Sequence, residues 1–177
     1  LAASPAGGSV YAATGSSVSI AAGRLSYTLG LHGPCVSYDT ACSAALVAGH
    51  AGLRALQLAE CGVGLVVGVT LVLAPANGTV FAVAGMTSAR GRSHTFDTRA
   101  DGFARGEACG GVALRRRRAD GGERDGALVL CGSAVRQDGR SASLTAPNGQ
   151  AQQALRLAAY ARANAAVHAS AHAEAHG

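Results

Sequence analysis

The stretch Cys35-Val36-Ser37-Tyr38-Asp39-Thr40-Ala41-Cys42-Ser43-Ala44-Ala45-Leu46 decides how the chain is read. Gly33-Pro34 breaks the backbone ahead of it, and residues 35–38 then predict a short strand. Asp39-Thr40-Ala41 leaves that strand. From Cys42 to Ala59 the spacing changes: Leu46, Leu53 and Leu56 recur at helical intervals, separated by Ala and Gly that allow close packing. Cys61-Gly62 is expected to end this helix, Gly being common just past a helix C-terminus. Cys42 thus falls where helix N–H groups are unpaired and carry partial positive charge. That charge favours thiolate over thiol, and the same N–H groups can bind an oxyanion forming on an attacked carbonyl. The small neighbours Ala41, Ser43, Ala44 and Ala45 leave room for a carbonyl to reach the sulfur. Local physics alone leaves two readings open, a reactive nucleophile or a buried inert Cys.

Outward from this junction, helices and strands alternate, which predicts an α/β architecture. On the N-terminal side, residues 1–23 are small and glycine-rich with a short possible helix over Ser17–Ala22, and Arg24–Leu31 alternates weakly. On the C-terminal side, the apolar run 63–76 is too short to span a membrane and reads as a central buried strand over Gly64–Leu73. Asn77–Met86 is a short helix or loop, and Phe96–Gly106 a loop dense in charge and glycine. Ala108–Arg115 and Ala127–Val135 read as strands around a surface loop over Ala119–Gly126. The polar loop Gln137–Gly149 leads into a helix over Gln150–Ala165, and a last strand is expected near Ala171–His176.

Composition narrows the class. The chain has 177 residues, 49% hydrophobic and 14% charged, which excludes a disordered segment and predicts a sizeable core. All 15 positive side chains are Arg, for a net charge of +5. Four of them form Arg115-Arg116-Arg117-Arg118, read as a solvated loop. A nucleic-acid footprint would add clustered aromatics or a recognisable module, so no nucleic-acid partner is expected. The five cysteines, 35, 42, 61, 109 and 131, are odd in number and lack metal-type pair spacing. A reduced, intracellular setting is the simplest reading. The sequence opens on Leu1 and stops at His176-Gly177, and a piece of a longer protein is expected.

Three motifs carry a family resemblance. Asp39-Thr40-Ala41-Cys42-Ser43-Ala44 resembles the active-site signature of β-ketoacyl synthases (ketosynthases), the condensing enzymes of fatty acid and polyketide synthesis. Glu174-Ala175-His176-Gly177 resembles the start of their second signature, and Phe96-Asp97-Thr98-Arg99-Ala100-Asp101-Gly102-Phe103-Ala104-Arg105-Gly106-Glu107 a third motif between the two. Ala22-Gly23-Arg24-Leu25-Ser26-Tyr27 and Thr145-Ala146-Pro147-Asn148-Gly149 are similar to the multidomain, type I polyketide synthase branch. The order and separation of the motifs fit the family, and the resemblance covers nearly all of residues 1–177. It implies a thiolase-like fold, layered αβαβα, of which this chain is a partial domain covering mainly the N-terminal half.

It also implies a reaction. Cys42 takes an acyl group from an acyl carrier protein, and a malonyl-type extender on carrier protein loses CO2. The resulting carbanion then attacks the Cys42 thioester, while His176 hydrogen-bonds the extender thioester carbonyl. Substrates ride on the phosphopantetheine of the carrier protein, with no cofactor bound directly. A homodimer in the cytoplasm, or in a plastid, is implied as well. The family also uses a second His and a Lys beyond the motif at Glu174, and the chain contains no Lys. Ala44 stands where many relatives carry Ser, Cys109 where Gly or Ala is common, and residues 166–173 match less well.

Competing readings explain less of the sequence. His168, His172 and His176 recur every four residues and on one helix face would form a zinc site, but the segment is Ala-rich with little carboxylate support. His32 and His50 have no evident partner and read as structural, and His94 as loop surface. The glycines at 62, 64 and 68 enter a strand rather than follow one, unlike a dinucleotide loop. Asp97 and Asp101 are expected to hold their loop through backbone N–H groups and Arg99 or Arg105. A thiolase or chalcone-synthase-like enzyme is disfavoured by the motifs at 39–44 and 96–107. A non-catalytic ketosynthase-like domain that only dimerises would usually have lost Cys42.

Overall fold

A computed structural model describes residues 9–117 and 128–164. The elements run α1 (Ala12–Ser16), a 3₁₀ turn (Val18–Ile20), α2 (Ala21–Leu29), a second 3₁₀ turn (Ala41–Ser43), α3 (Ala44–Gln57), β1 (Val63–Thr70), α4 (Pro75–Val83), β2 (Ala108–Arg115) and α5 (Gly149–Ala163). The α/β reading holds, with particular corrections.

The weak alternation over 24–31 is helix. Gly30 closes α2 with a left-handed φ of 63°, which lets Leu31 N–H bond back to Ser26 O at 2.9 Å. The expected strand over 35–38 is unpaired backbone. Residues 128–135 likewise form no strand, since neither run meets a neighbour that accepts its ladder bonds. The helix after Cys42 stops before Gly62: Ala59 takes the left-handed position at φ 59°, and Glu60 N–H bonds Ala55 O. The apolar run from 75 onward is helical because Pro75 sits in the first turn of α4, where its missing N–H is not needed. In α5, Asn148 Oδ1 accepts from the N–H groups of Gln150 and Ala151, and Asn164 ends the helix at φ 51°. The expected segments at 119–126 and 171–176 lie outside the described residues.

β1 and β2 pair antiparallel, with Val63 opposite Arg115 and Thr70 opposite Ala108. α3 covers one face. A Cβ on Gly68 would lie 3.1 Å from Ala45 Cβ, and one on Gly52 would lie 3.1 Å from Val66 Cγ2 and 3.4 Å from Leu114. These glycines therefore let the helix backbone approach the sheet. The contacts also set the direction: the Thr70 end of β1 and the Ala108 end of β2 lie at the start of α3, beside Cys42. Ala55 and Leu56 are buried between helix and sheet. The opposite face is open, so β1 is not the fully buried strand expected. Val63, Leu65 and Val69 expose 64%, 47% and 56% of their surface, because a two-stranded sheet with one helix has cover on one side only.

Candidate active site

Cys42 is the middle residue of the 3₁₀ turn that feeds α3, two residues before the α-helix starts. Its thiol is free and exposed, as are those of Cys35, Cys109 and Cys131. The turn is held tightly. Asp39 Oδ1 accepts from Ala41 N–H at 3.2 Å. The Ser43 hydroxyl donates back to Thr40 O at 2.8 Å and lies 2.9 Å from Thr40 Oγ1. Ser43 makes no side-chain cap on α3; its N–H bonds Thr40 O at 3.3 Å, and the Ala44 N–H bonds Ala41 O. Ala41 holds a positive φ of 53°, a conformation costing an L-residue about 1–3 kcal/mol. The Asp39 and Thr40–Ser43 bonds keep it there and turn Cys42 outward.

The 71–107 segment leaves and returns at this end of the sheet. Glu107 closes its base, Oε1 accepting from Val72 N–H at 2.6 Å. Within it Asp97 clamps Arg99, accepting from the backbone N–H, Nε and Nη2; this bonding to Arg99 lowers the Asp97 pKa from its ordinary value. Asp101 accepts from Ser88 Oγ at 2.6 Å and from Arg90 Nε at 3.1 Å, and the Ser88 and Arg90 bonds lower its pKa too. The expectation of Arg99 or Arg105 thus holds for Asp97, while Asp101 pairs instead with Arg90, whose Nη2 also reaches Arg99 O. Arg105 stacks 4.8 Å above the Phe81 ring, and its buried Nη1 makes no hydrogen bond. Gly102 is required by space: at φ 131° a Cβ would come within 2.6 Å of Ser88 N and Thr87 C.

Sequence reading missed one cluster. His50, two turns along α3 from Cys42, has a partner after all: Nδ1 lies 2.8 Å from Ser133 Oγ. The only signal was a polar Gly132-Ser133 pair inside an apolar run. His176 and Glu174, and the zinc triple with His168 and His172, lie outside the described residues.

The fold matches that of solved ketosynthases. A ketosynthase domain of oxazolomycin biosynthesis from Streptomyces albus JA3453 superposes with TM-score 0.78 at 34% identity, covering 86% of this chain and 27% of that one. The ketosynthase from module 6 of the bacillaene synthase of Bacillus subtilis 168 gives 0.76 at 36%, covering 87% and 28%. The fold is thiolase-like α/β, and the chain spans its N-terminal part. Residues 2–120 match the profile of the β-ketoacyl synthase N-terminal domain and 127–177 that of the C-terminal domain. The chain belongs to the β-ketoacyl synthase family. Two components of the phenolphthiocerol/phthiocerol polyketide synthase of Mycobacterium tuberculosis are similar to it. One is 46% identical over 93% of this chain, the other 48% over 86%. The chain spans only 9% and 10% of their lengths.

Proposed function

We propose that this chain is the acyl-accepting part of a β-ketoacyl synthase acting in polyketide biosynthesis, with Cys42 the nucleophile. The observation that carries this is an exposed thiol on a strained, hydrogen-bonded turn at the start of α3. The Cys42 sulfur attacks the thioester carbonyl of an acyl group on carrier-protein phosphopantetheine. The positive end of α3 stabilises the oxyanion, and the phosphopantetheine thiol leaves with the proton. A malonyl-type extender on carrier protein then loses CO2, its carbanion attacks the Cys42 thioester, and the sulfur is released as the β-ketoacyl product forms. His176 donates a hydrogen bond to the extender carbonyl. The matched relatives belong to polyketide synthases, which favours polyketide over fatty acid synthesis and a bacterial cytoplasm over a plastid. Residues 1–177 act as one partial ketosynthase unit, and the complete enzyme is a homodimer served by an acyl carrier protein. Among the described residues no helix is long and apolar enough to cross a membrane.

The test is alkylation with iodoacetamide or cerulenin followed by peptide mass mapping. Selective modification of Cys42 among the five cysteines is expected. Equal or absent labelling there would replace the catalytic reading with that of a dimerisation or binding domain.

A further inference from the structure

We propose that His50 is a positioning residue for Cys42, tethering α3 through Ser133 to the 131–134 segment and α5. It rests on the reading of Cys42 as nucleophile given above. His50 stands eight residues beyond Cys42, about 12 Å along a helix axis. Its Nδ1 meets Ser133 Oγ at 2.8 Å across 83 residues of sequence. Ser133 is in turn fixed to α5, because Arg162 Nη1 donates to Ser133 O at 3.0 Å. The segment lies directly on the last turn of α5, where a Cβ on Gly132 would fall 2.7 Å from Ala163 N and 2.9 Å from Ala159 O.

Beside this contact, Ser133 and Arg162 line a cleft of about 230 Å³ with Leu53, Arg54, Gln57 and Cys131. Tethering matters because the turn ahead of α3 is strained at Ala41, and such a conformation persists only while its surroundings over-determine it. Freed at His50, α3 can shift on the sheet and let the Cys42 turn relax.

The tether also reports on pH. The charged groups acting on His50 are Arg162 from α5 and Arg54 on its own helix, while Cys131 lines the cleft from the third element. Partial burial and these two guanidiniums lower the His50 pKa. The folded chain thus favours the neutral imidazole, although Ser133 Oγ can bond Nδ1 in either protonation state. The neutral form's contribution is complete above the ordinary histidine range and is lost as pH falls below it.

The experiment uses the 177-residue chain in dilute solution. Iodoacetamide modification of Cys42 relative to Cys35 is followed by peptide mass mapping from about pH 5.5 to about pH 8, across the histidine range. At the upper pH, His50→Ala and Ser133→Ala should each lower the ratio about fivefold, the size expected for one hydrogen bond. His50→Asn, which keeps a hydrogen-bonding group near the Nδ1 position but does not titrate, should recover it. The wild-type value divided by the His50→Asn value should stay flat at high pH and fall on acidification. Unchanged ratios in both alanine variants, or no recovery in His50→Asn, would each overturn the tether. Wild-type protein with no preference for Cys42 would instead overturn the nucleophile reading, and the tether with it.

Discussion

At Ala41 a methyl group sits on backbone that glycine adopts freely, with φ at 53°. Replacing it by glycine relieves that crowding but enlarges the unfolded ensemble. Ala41→Gly should thus leave the urea midpoint unchanged or raise it by at most about 1 kcal/mol in stability. Ala41→Val should lower it by about 1–3 kcal/mol, because a β-branched side chain tolerates positive φ poorly. Gly102 is more severe. A Cβ there meets backbone at 2.6 Å, so Gly102→Ala must displace the Ser88 and Met86 backbone bonds to Phe103 and should cost about 2 kcal/mol or more. Urea unfolding measured for the three variants checks both statements. Local pattern alone left Cys42 open between a reactive and an inert thiol; the ordered motifs at 39–44, 96–107 and 174–177 made it the candidate nucleophile. The strain at Ala41 was not readable from sequence, since alanine gives no sign of a left-handed backbone.

Elements depend on partners that one-dimensional patterns do not contain. α3, β1 and β2 were legible because leucine spacing and apolar runs reflect one covered face. The 35–38 and 128–135 runs carry strand-like residues but meet no ladder, so β composition alone misplaced them. The His50–Ser133 bond joins residues 83 apart, a separation no local pattern encodes. The 96–107 loop was read correctly as held by its aspartates, though the partner of Asp101 was wrong, because Arg90 enters from outside the motif. This loop has an acid limit. The pKa values of Asp97 and Asp101 are depressed by bonds to Arg99 and to Ser88 and Arg90. Each thus contributes stability that is present above the ordinary carboxylate range and lost as pH falls through the lowered value. Amide exchange of residues 88–105 should stay protected at neutral pH and rise below about pH 4, earlier in Asp101→Asn than in the wild type. Equal exchange in the two proteins would assign no role to that carboxylate. At α5, Asn148→Ala removes the acceptor for two N–H groups and should cost about 1 kcal/mol.

At the scale of the molecule, surface decides behaviour. The chain exposes 14045 Å², whereas a compact monomer of its 17.4 kDa mass exposes about 7900 Å². Among the described residues only Ala55 and Leu56 are buried apolar side chains, so the sizeable core expected from composition is not assembled among them. Half-covered valines and Leu65 of β1 share the open sheet face with Ala113 and Gly111 of β2, and such a patch promotes association. The basic run at Arg115–Arg117 does not counter this, since it lies at the far end of β2 from Cys42. The chain also spans only about a quarter of the solved ketosynthases it matches. It contains no Lys, the residue that family resemblance assigns to the decarboxylating half of the reaction. The two halves of the chemistry should therefore separate. Incubated with an acyl thioester, the 177-residue chain should acquire one acyl group on Cys42, seen as a mass shift that Cys42→Ser loses when thiol-specific release is scored. Given malonyl carrier protein as well, it should form no β-ketoacyl product and no CO2, and it should elute as assemblies larger than a monomer. Release of CO2 by the purified chain would show that the second half-reaction needs no group outside these 177 residues.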